Sequence, residues 1–352
     1  MIGIFYHIKL LHKDVLYADF INFIYASIAF WCFDKFVRLA RVLYLNGFWS
    51  TGCSKGLVRL LDGTDDVLSI SLTLTGKGAK CWYKDTSRLT SGLNIQLWIP
   101  RVHPLSSHPF SVAAIEENGD AVRLQLYVQV KKGITARLLR KAQQKGGECE
   151  LSMMVEGFYG QQIQSSPVHT KVCIAGGIGI TGSICYLQDA MRLKTEAHLI
   201  WLISSPKMIA VAVDALRKVE DLNKLEQEGK ESPCRQSLSI YITRPAEKAV
   251  SLEKRESTET LAAVDEPEVD EKTFGKQEST DHFLHQLQKL HPLLEVSINS
   301  LGCRPDLNKV VLPFIRPKQT TLFCCGPAAL LDSARDISRQ HDIDYGEEAF
   351  AW

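Results

Sequence analysis

The 352-residue sequence has no CxxC pair and no Cys/His group at zinc-ligand spacing; its ten cysteines are scattered, with only Cys324 and Cys325 adjacent. That argues against a small zinc module and against a secreted disulfide framework, and it suits a reducing compartment. An excess of one charge is also missing. With 41 Lys and Arg against 40 Asp and Glu the formal net charge is +1, so no global basic field points to nucleic acid as a partner. Nor does the chain have the composition of a disordered one: 45% of its residues are hydrophobic, and the length suffices for two domains with a core each.

What charge there is lies unevenly. Residues 246–281 hold eleven acidic and five basic side chains, a net −6, with Phe274 the one aromatic and only scattered Val and Leu beside it. Such a segment cannot recover its ordering entropy by burial, and it reads as a disordered acidic insertion. Near the amino terminus the opposite occurs. Val15 to Phe33 runs nineteen residues with Asp19 as the only charge, followed by Lys35, Arg38 and Arg41. The run is just long enough for one transmembrane helix over about 15–33, and the basic residues after it place everything downstream in the cytoplasm by the positive-inside rule.

Between Phe48 and Ser165 the pattern is short and alternating: VLSISLTL (67–74), NIQLWI (94–99) and VRLQLYVQV (122–130). These read as strands of an antiparallel β-barrel. From Lys171 the order becomes strand, helix, strand, with later apolar runs at 237–243 and 320–325 that complete a parallel α/β sheet. The expected organisation is therefore a membrane segment over 1–47, an all-β barrel over 48–167 and an α/β domain over 168–352.

Three motifs carry chemistry. Gly176, Gly177 and Gly179 sit in AGGIGIT, a glycine-rich turn from a buried strand into a helix. Glycine there lets a pyrophosphate approach the free N–H groups of the helix N-terminus, and Thr181 can add a hydroxyl. In His108-Pro109-Phe110-Ser111 an aromatic that can lie against a ring system stands beside a hydroxyl able to meet a ring nitrogen, a combination that suits an isoalloxazine. Lys131, Lys132, Gly133, Ile134 and Thr135 open a further helix and form a second anion site. Each motif alone also fits an ordinary turn or N-cap.

Taken in order, HPFS, KKGIT, VEGFYG (155–160), AGGIGIT, SIYITR (239–244), GCRPD (302–306), CCGP (324–327) and the terminal EEAFAW resemble the flavin- and NADPH-binding half of fungal ferric-chelate reductases. That family belongs to the ferredoxin-NADP reductase-like superfamily and is related to the NADPH oxidases. The resemblance covers nearly everything after Tyr25. It implies that Phe110 stacks on FAD with Ser111 near its reactive nitrogen, and that His108, Pro109, Lys132 and Gly133 to Thr135 hold the FAD pyrophosphate. Gly176, Gly177, Gly179 and Thr181 would take the dinucleotide. Cys325, Gly326 and Pro327 would border the nicotinamide, Thr243 and Arg244 would grip the 2′-phosphate of NADPH, where arginine's charged fork distinguishes phosphate from hydroxyl, and Arg304 would also bind NADPH.

Ser111, Cys325 and Trp352 are the implied catalytic residues, with terminal Trp352 as a gate over the flavin. The family usually has GPYG where this chain has Gly157-Phe158-Tyr159-Gly160. Of the haem-bearing helices only His7 matches a ligand position, so haem b would require helices upstream or a separate haem-bearing membrane partner. The implied activity is membrane-anchored, plasma-membrane NADPH oxidoreduction: hydride to FAD, then single electrons through haem to ferric chelates. Two rivals remain open, an NADPH oxidase delivering electrons to oxygen and a non-catalytic remnant that binds flavin or a partner.

Overall fold

The computed structural model describes residues 18–46, 54–74, 92–118, 121–160, 170–217, 234–244 and 274–349. It opens with α1 (Ala18–Leu45), a 28-residue helix. Among the described residues no helix is long and apolar enough to cross a membrane, which corrects the transmembrane expectation for 15–33. The reason lies in the charges that the helix carries onward. Between Asp19 and Asp34 only fourteen residues are uncharged, a rise of about 21 Å against the roughly 30 Å of bilayer hydrocarbon.

Seven strands then form one antiparallel sheet: β1 (Ser54–Leu60), β2 (Val67–Leu74), β3 (Asn94–Ile99), β4 (His103–Ser111), β5 (Ala114–Asn118), β6 (Ala121–Gln129) and β7 (Glu148–Tyr159). Their order is β4-β3-β7-β1-β2-β6-β5. The sheet curls around a core of alternating inward residues such as Ile70, Leu72, Ile95, Leu97 and Leu124, all 0% exposed. It is an open half-barrel with β4 and β5 at its edges. Helix α2 (Ile134–Gln144) closes one end through Leu138 and Ala142, which are buried in the same cluster.

The end of α1 is spliced into this sheet. Asn46 Nδ2 donates to the Val155 carbonyl at 2.7 Å and the Val155 N–H donates to Asn46 Oδ1 at 2.8 Å, so one carboxamide imitates a strand residue. This happens two residues past Met153, the last residue of β7 that pairs with β1.

The second half is a six-stranded parallel sheet of order β11-β10-β9-β8-β12-β13, made from β8 (Thr170–Gly176), β9 (Ala197–Ile203), β10 (Gln236–Ile242), β11 (Glu295–Ser300), β12 (Thr320–Gly326) and β13 (Asp344–Ala349). Near-continuous burial of β8, β9 and β12 fits strands covered on both faces. Helices α3 (Ile180–Leu193), α4 (Ile209–Arg217) and α5 (Phe274–Leu290) pack on one face; α6 (Leu307–Val311) and α7 (Ala328–His341) pack on the other. Of the acidic insertion, residues 246–273 lie outside the described residues. Its last eight residues belong to α5, because Phe283, Leu287 and Leu290 recur at helical spacing and pack on the core.

The two halves share an interior. Leu61, Val67, Ala113 and Tyr127 of the barrel are buried in the same apolar cluster as α3, β9 and α4. The Tyr127 hydroxyl donates to Asp214 Oδ2 at 2.8 Å, and Arg59 Nη2 reaches Asp214 Oδ1 at 3.3 Å.

Candidate functional site

The C-terminal ends of β8, β9, β10 and β12 open onto a recess of about 880 Å³, at the place where parallel α/β sheets bind ligands. Gly176, Gly177, Thr243, Arg244, Arg304 and Pro327 all line it. The recess thus brings together residues from four of the sequence motifs. Arg244 and Arg304 are exposed and carry two guanidinium groups into it. Lys131 also lines it from the barrel side, a position the sequence did not single out for this cavity.

The glycines of the turn differ in task. Gly177 has φ +54° and open space where a Cβ would stand, so its backbone is free to meet a ligand. Trp201 Nε1 donates to its carbonyl at 2.7 Å and fixes the turn. At Gly179, by contrast, a Cβ would collide with the Cys325 carbonyl oxygen, and at Gly176 one would lie 2.8 Å from Pro327. These two permit the β8–α3 turn to press against β12. Thr181 does not face the recess: it is buried, and its hydroxyl donates to the Ile178 carbonyl at 3.0 Å. Thr243 likewise donates to the Ile203 carbonyl at 3.0 Å.

On the barrel, β4 pairs with β3 so that His108 faces Leu97, Phe110 faces Ile95 and Ser111 faces Asn94 in register. Phe110 is half-buried against the barrel core, and exposed Pro109 precedes it. His108 Nε2 lies 3.2 Å from Ser106 Oγ, which also meets His103 Nδ1 at 2.5 Å. Burial, with His103 as a second cause, pushes His108 below the ordinary imidazole value, which favours a neutral ring.

The second cradle begins at Gly133, with φ +90° and nothing within 4 Å of the point a Cβ would occupy. No side chain caps α2 there, so its first N–H groups are available to an anion. Thr135 is not: its Oγ1 accepts from the Lys131 N–H at 2.8 Å and donates to the Lys131 carbonyl at 3.0 Å, which shapes the turn. Lys132 is exposed beside it, and Ile134 anchors the turn on the barrel core.

Ser111 and Cys325 meet through a residue to which the sequence motifs gave no task. Ser111 Oγ donates to Glu348 Oε1 at 2.6 Å, and Cys325 Sγ lies 3.8 Å from Glu348 Oε2. Glu348 stands on β13, directly opposite Cys325 in the β12–β13 register. Gly182 makes room for it, since a Cβ there would collide with Glu348 Oε2 and sit 3.1 Å from Cys325 Sγ. Burial raises the Glu348 carboxyl above its usual value, and the hydrogen bonds from Ser111 and Cys325 pull only partly against this. Burial, and next the charge of Glu348, push Cys325 well up, so it remains a thiol. Gly326 is buried beside it. His7 and Trp352 lie outside the described residues.

Two family models match the chain: the ferric reductase NAD binding domain over residues 170–339 and an FAD-binding domain over residues 58–163. The second half of the chain is thus similar to the ferric reductase NAD binding domain and the first half to an FAD-binding domain. A probable ferric reductase transmembrane component from Candida albicans is 26% identical to it, over 100% of this chain and 47% of that protein. Ferric reductase transmembrane component 4 from Saccharomyces cerevisiae is 24% identical over 94% of this chain and 44% of its own length. The chain thus spans less than half the length of these relatives. Among solved structures, the ferredoxin reductase in carbazole 1,9a-dioxygenase is 15% identical, with a TM-score of 0.44 over 85% of this chain and 69% of that one.

Each matched domain has a turn suited to a dinucleotide phosphate. Gly133 and Gly177 leave cradles that a Cβ would fill, each at an uncapped helix start, and each has cationic side chains nearby.

Proposed function

We propose that this chain is the electron-input half of a membrane-associated ferric-chelate reductase, taking hydride from NADPH and releasing electrons singly toward ferric or cupric chelates, with haem as intermediate carrier. The observation that carries the reading is the unbroken contact Ser111–Glu348–Cys325, which joins the aromatic strand end of the FAD-binding domain to the sheet edge of the NAD-binding domain.

In this reading the exposed N–H groups at Gly133, with Lys132 and His108, hold the FAD pyrophosphate, and Phe110 with Pro109 covers one face of the ring. Gly177 and the start of α3 take the NADPH pyrophosphate. Arg244 and Arg304 select the 2′-phosphate through charge-assisted forks. Thr243 supports Arg244 by tying the strand end to Ile203. Bound FAD would supply the conversion of a two-electron input into one-electron output.

The chain's own residues align and insulate the step. Ser111 is held by Glu348, whose raised carboxyl can keep or give up a proton near the reacting atoms. Cys325 is 0% exposed and, with Gly179 and Gly182 packed against it, excludes water from that side. Trp352 would cover the flavin until nicotinamide arrives.

Anaerobic addition of NADPH to the purified, FAD-loaded chain tests this. The visible flavin band should bleach, and ferric chelate should restore it. A flavin that stays oxidised would refute the reading, and in a parallel assay with oxygen present superoxide formed in preference to ferrous iron would move the acceptor to oxygen.

A further inference from the structure

Outside the dinucleotide site, a recess of about 530 Å³ lies between α1 and the half-barrel, and no role described so far uses it. Its walls include Arg38, Arg41, Asn94, Gln96, Glu156 and Tyr159. Most of this charge is already matched. Arg38 forks onto the buried Glu156, with Nε at 2.7 and 2.9 Å and Nη2 at 2.8 Å, and the Tyr159 hydroxyl donates to Glu156 at 3.0 Å. Asp34, on the rim, meets Lys35 at 3.5 Å. That leaves Arg41, which is exposed and has no ion pair or side-chain hydrogen bond among the described residues. Beside it stand the half-buried amides of Asn94 and Gln96, neutral groups that can donate. The recess wall is formally neutral, Arg38 and Arg41 against Asp34 and Glu156; with Glu156 held by Arg38 and Asp34 by Lys35, Arg41 remains as the cation without a close carboxylate, next to amide donors, and a phosphate oxygen is the group that would complete it.

What lies above the recess determines which phosphate. On the same helix Phe30, Trp31, Phe33 and Phe36 are 61–75% exposed, and Val37 joins the recess wall itself. Lys35 sits 5.8 Å from the Trp31 ring centre, the aromatic and cationic pairing typical of a membrane interface. No described residue covers these side chains. A ligand that satisfies both parts has a monoanionic phosphate at one end and hydrocarbon at the other.

We infer that this recess binds the headgroup phosphate of an anionic phospholipid, with Arg41 as its charged contact and the apolar side chains of α1 against the acyl region. The inference rests on the membrane association proposed above. It also gives α1 a definite depth and orientation, because Asn46 and Arg38 hold the helix to β7.

Flotation of the FAD-loaded full chain with phosphatidylcholine vesicles, with and without phosphatidylglycerol, tests it. Phosphatidylglycerol should strengthen binding, and Arg41→Gln should weaken binding to those vesicles by about tenfold or more, as expected for loss of a charge-assisted phosphate contact. Binding to pure phosphatidylcholine and bleaching by NADPH should not change. Lys35→Gln removes the same charge outside the recess and should cost about fivefold at most. Equal losses for the two variants would overturn the headgroup site, as would displacement by inorganic phosphate at concentrations that leave Lys35→Gln and wild type indistinguishable. Flotation with neither vesicle would instead sink membrane association itself, whereas flotation without any phosphatidylglycerol preference overturns only the lipid site.

Discussion

The FAD-binding half-barrel and the NAD-binding sheet each place a positive-φ glycine in the turn into a helix, Gly133 as the N-cap of α2 and Gly177 three residues before α3, yet the two turns are built under different pressures. Gly133 lies at the exposed rim of the barrel, with open space around it and its turn braced by Thr135. The turn at Gly177 is wedged into the molecule: its neighbours Gly176 and Gly179 touch β12, and Trp201 fixes its carbonyl. The same residue type thus serves a ligand in one place and backbone packing two residues away. A glycine motif read from sequence merges these two tasks.

The contrast is sharpest within the inner turn. Gly179→Ala forces a Cβ against the Cys325 carbonyl, and overpacking of this kind should cost about 2–3 kcal/mol. Thermal unfolding should then fall by about 3–6 °C. Gly177→Ala meets no atom and should lose only about 1 kcal/mol to its positive φ. Equal losses of melting temperature for the two variants would break the distinction.

Arg244→Gln comes next. Loss of a charge-assisted contact to the 2′-phosphate should raise the KM for NADPH by about 10- to 100-fold, while NADH kinetics stay nearly unchanged. Steady-state assays with both nucleotides check this. At the outer cradle, Gly133→Ala should weaken FAD retention by about tenfold through backbone strain, with little change in NADPH affinity. Equilibrium dialysis of flavin would reveal it.

The smallest expected effect is a change in pH dependence. Burial lifts the folded-state Glu348 carboxyl above its ordinary 4.5, so the folded chain holds that proton more tightly than the unfolded one. The stability this contributes is complete below the unfolded value and is lost as pH rises through the folded one. Glu348→Gln should flatten the slope of melting temperature against pH in the mildly acidic range. An unchanged slope would mean that the carboxyl is not held as described.

Much of the fold was legible because its cause is local. The alternation of VLSISLTL and NIQLWI marks β2 and β3 residue for residue, since one face of each strand meets the barrel core. The site was legible only where backbone dictates it. Glu348 escaped notice as a functional residue because its importance comes from a contact 237 residues away, with Ser111, which no spacing rule encodes. Thr181 and Thr135 looked like ligand donors by type, but short-range hydrogen bonds to nearby backbone had already claimed their hydroxyls. The apolar run at the amino terminus gave the helix but not its length, because α1 continues through Lys35, Arg38 and Arg41 toward its anchor at Asn46.

The side chains of Leu61, Val67, Ala113 and Tyr127 that cross into the other half's interior have a further consequence. Neither half is a detachable module, because cutting the chain would expose a continuous oily seam on both pieces. Hinge-like parting of the halves would bring these side chains into water, so the seam opposes it.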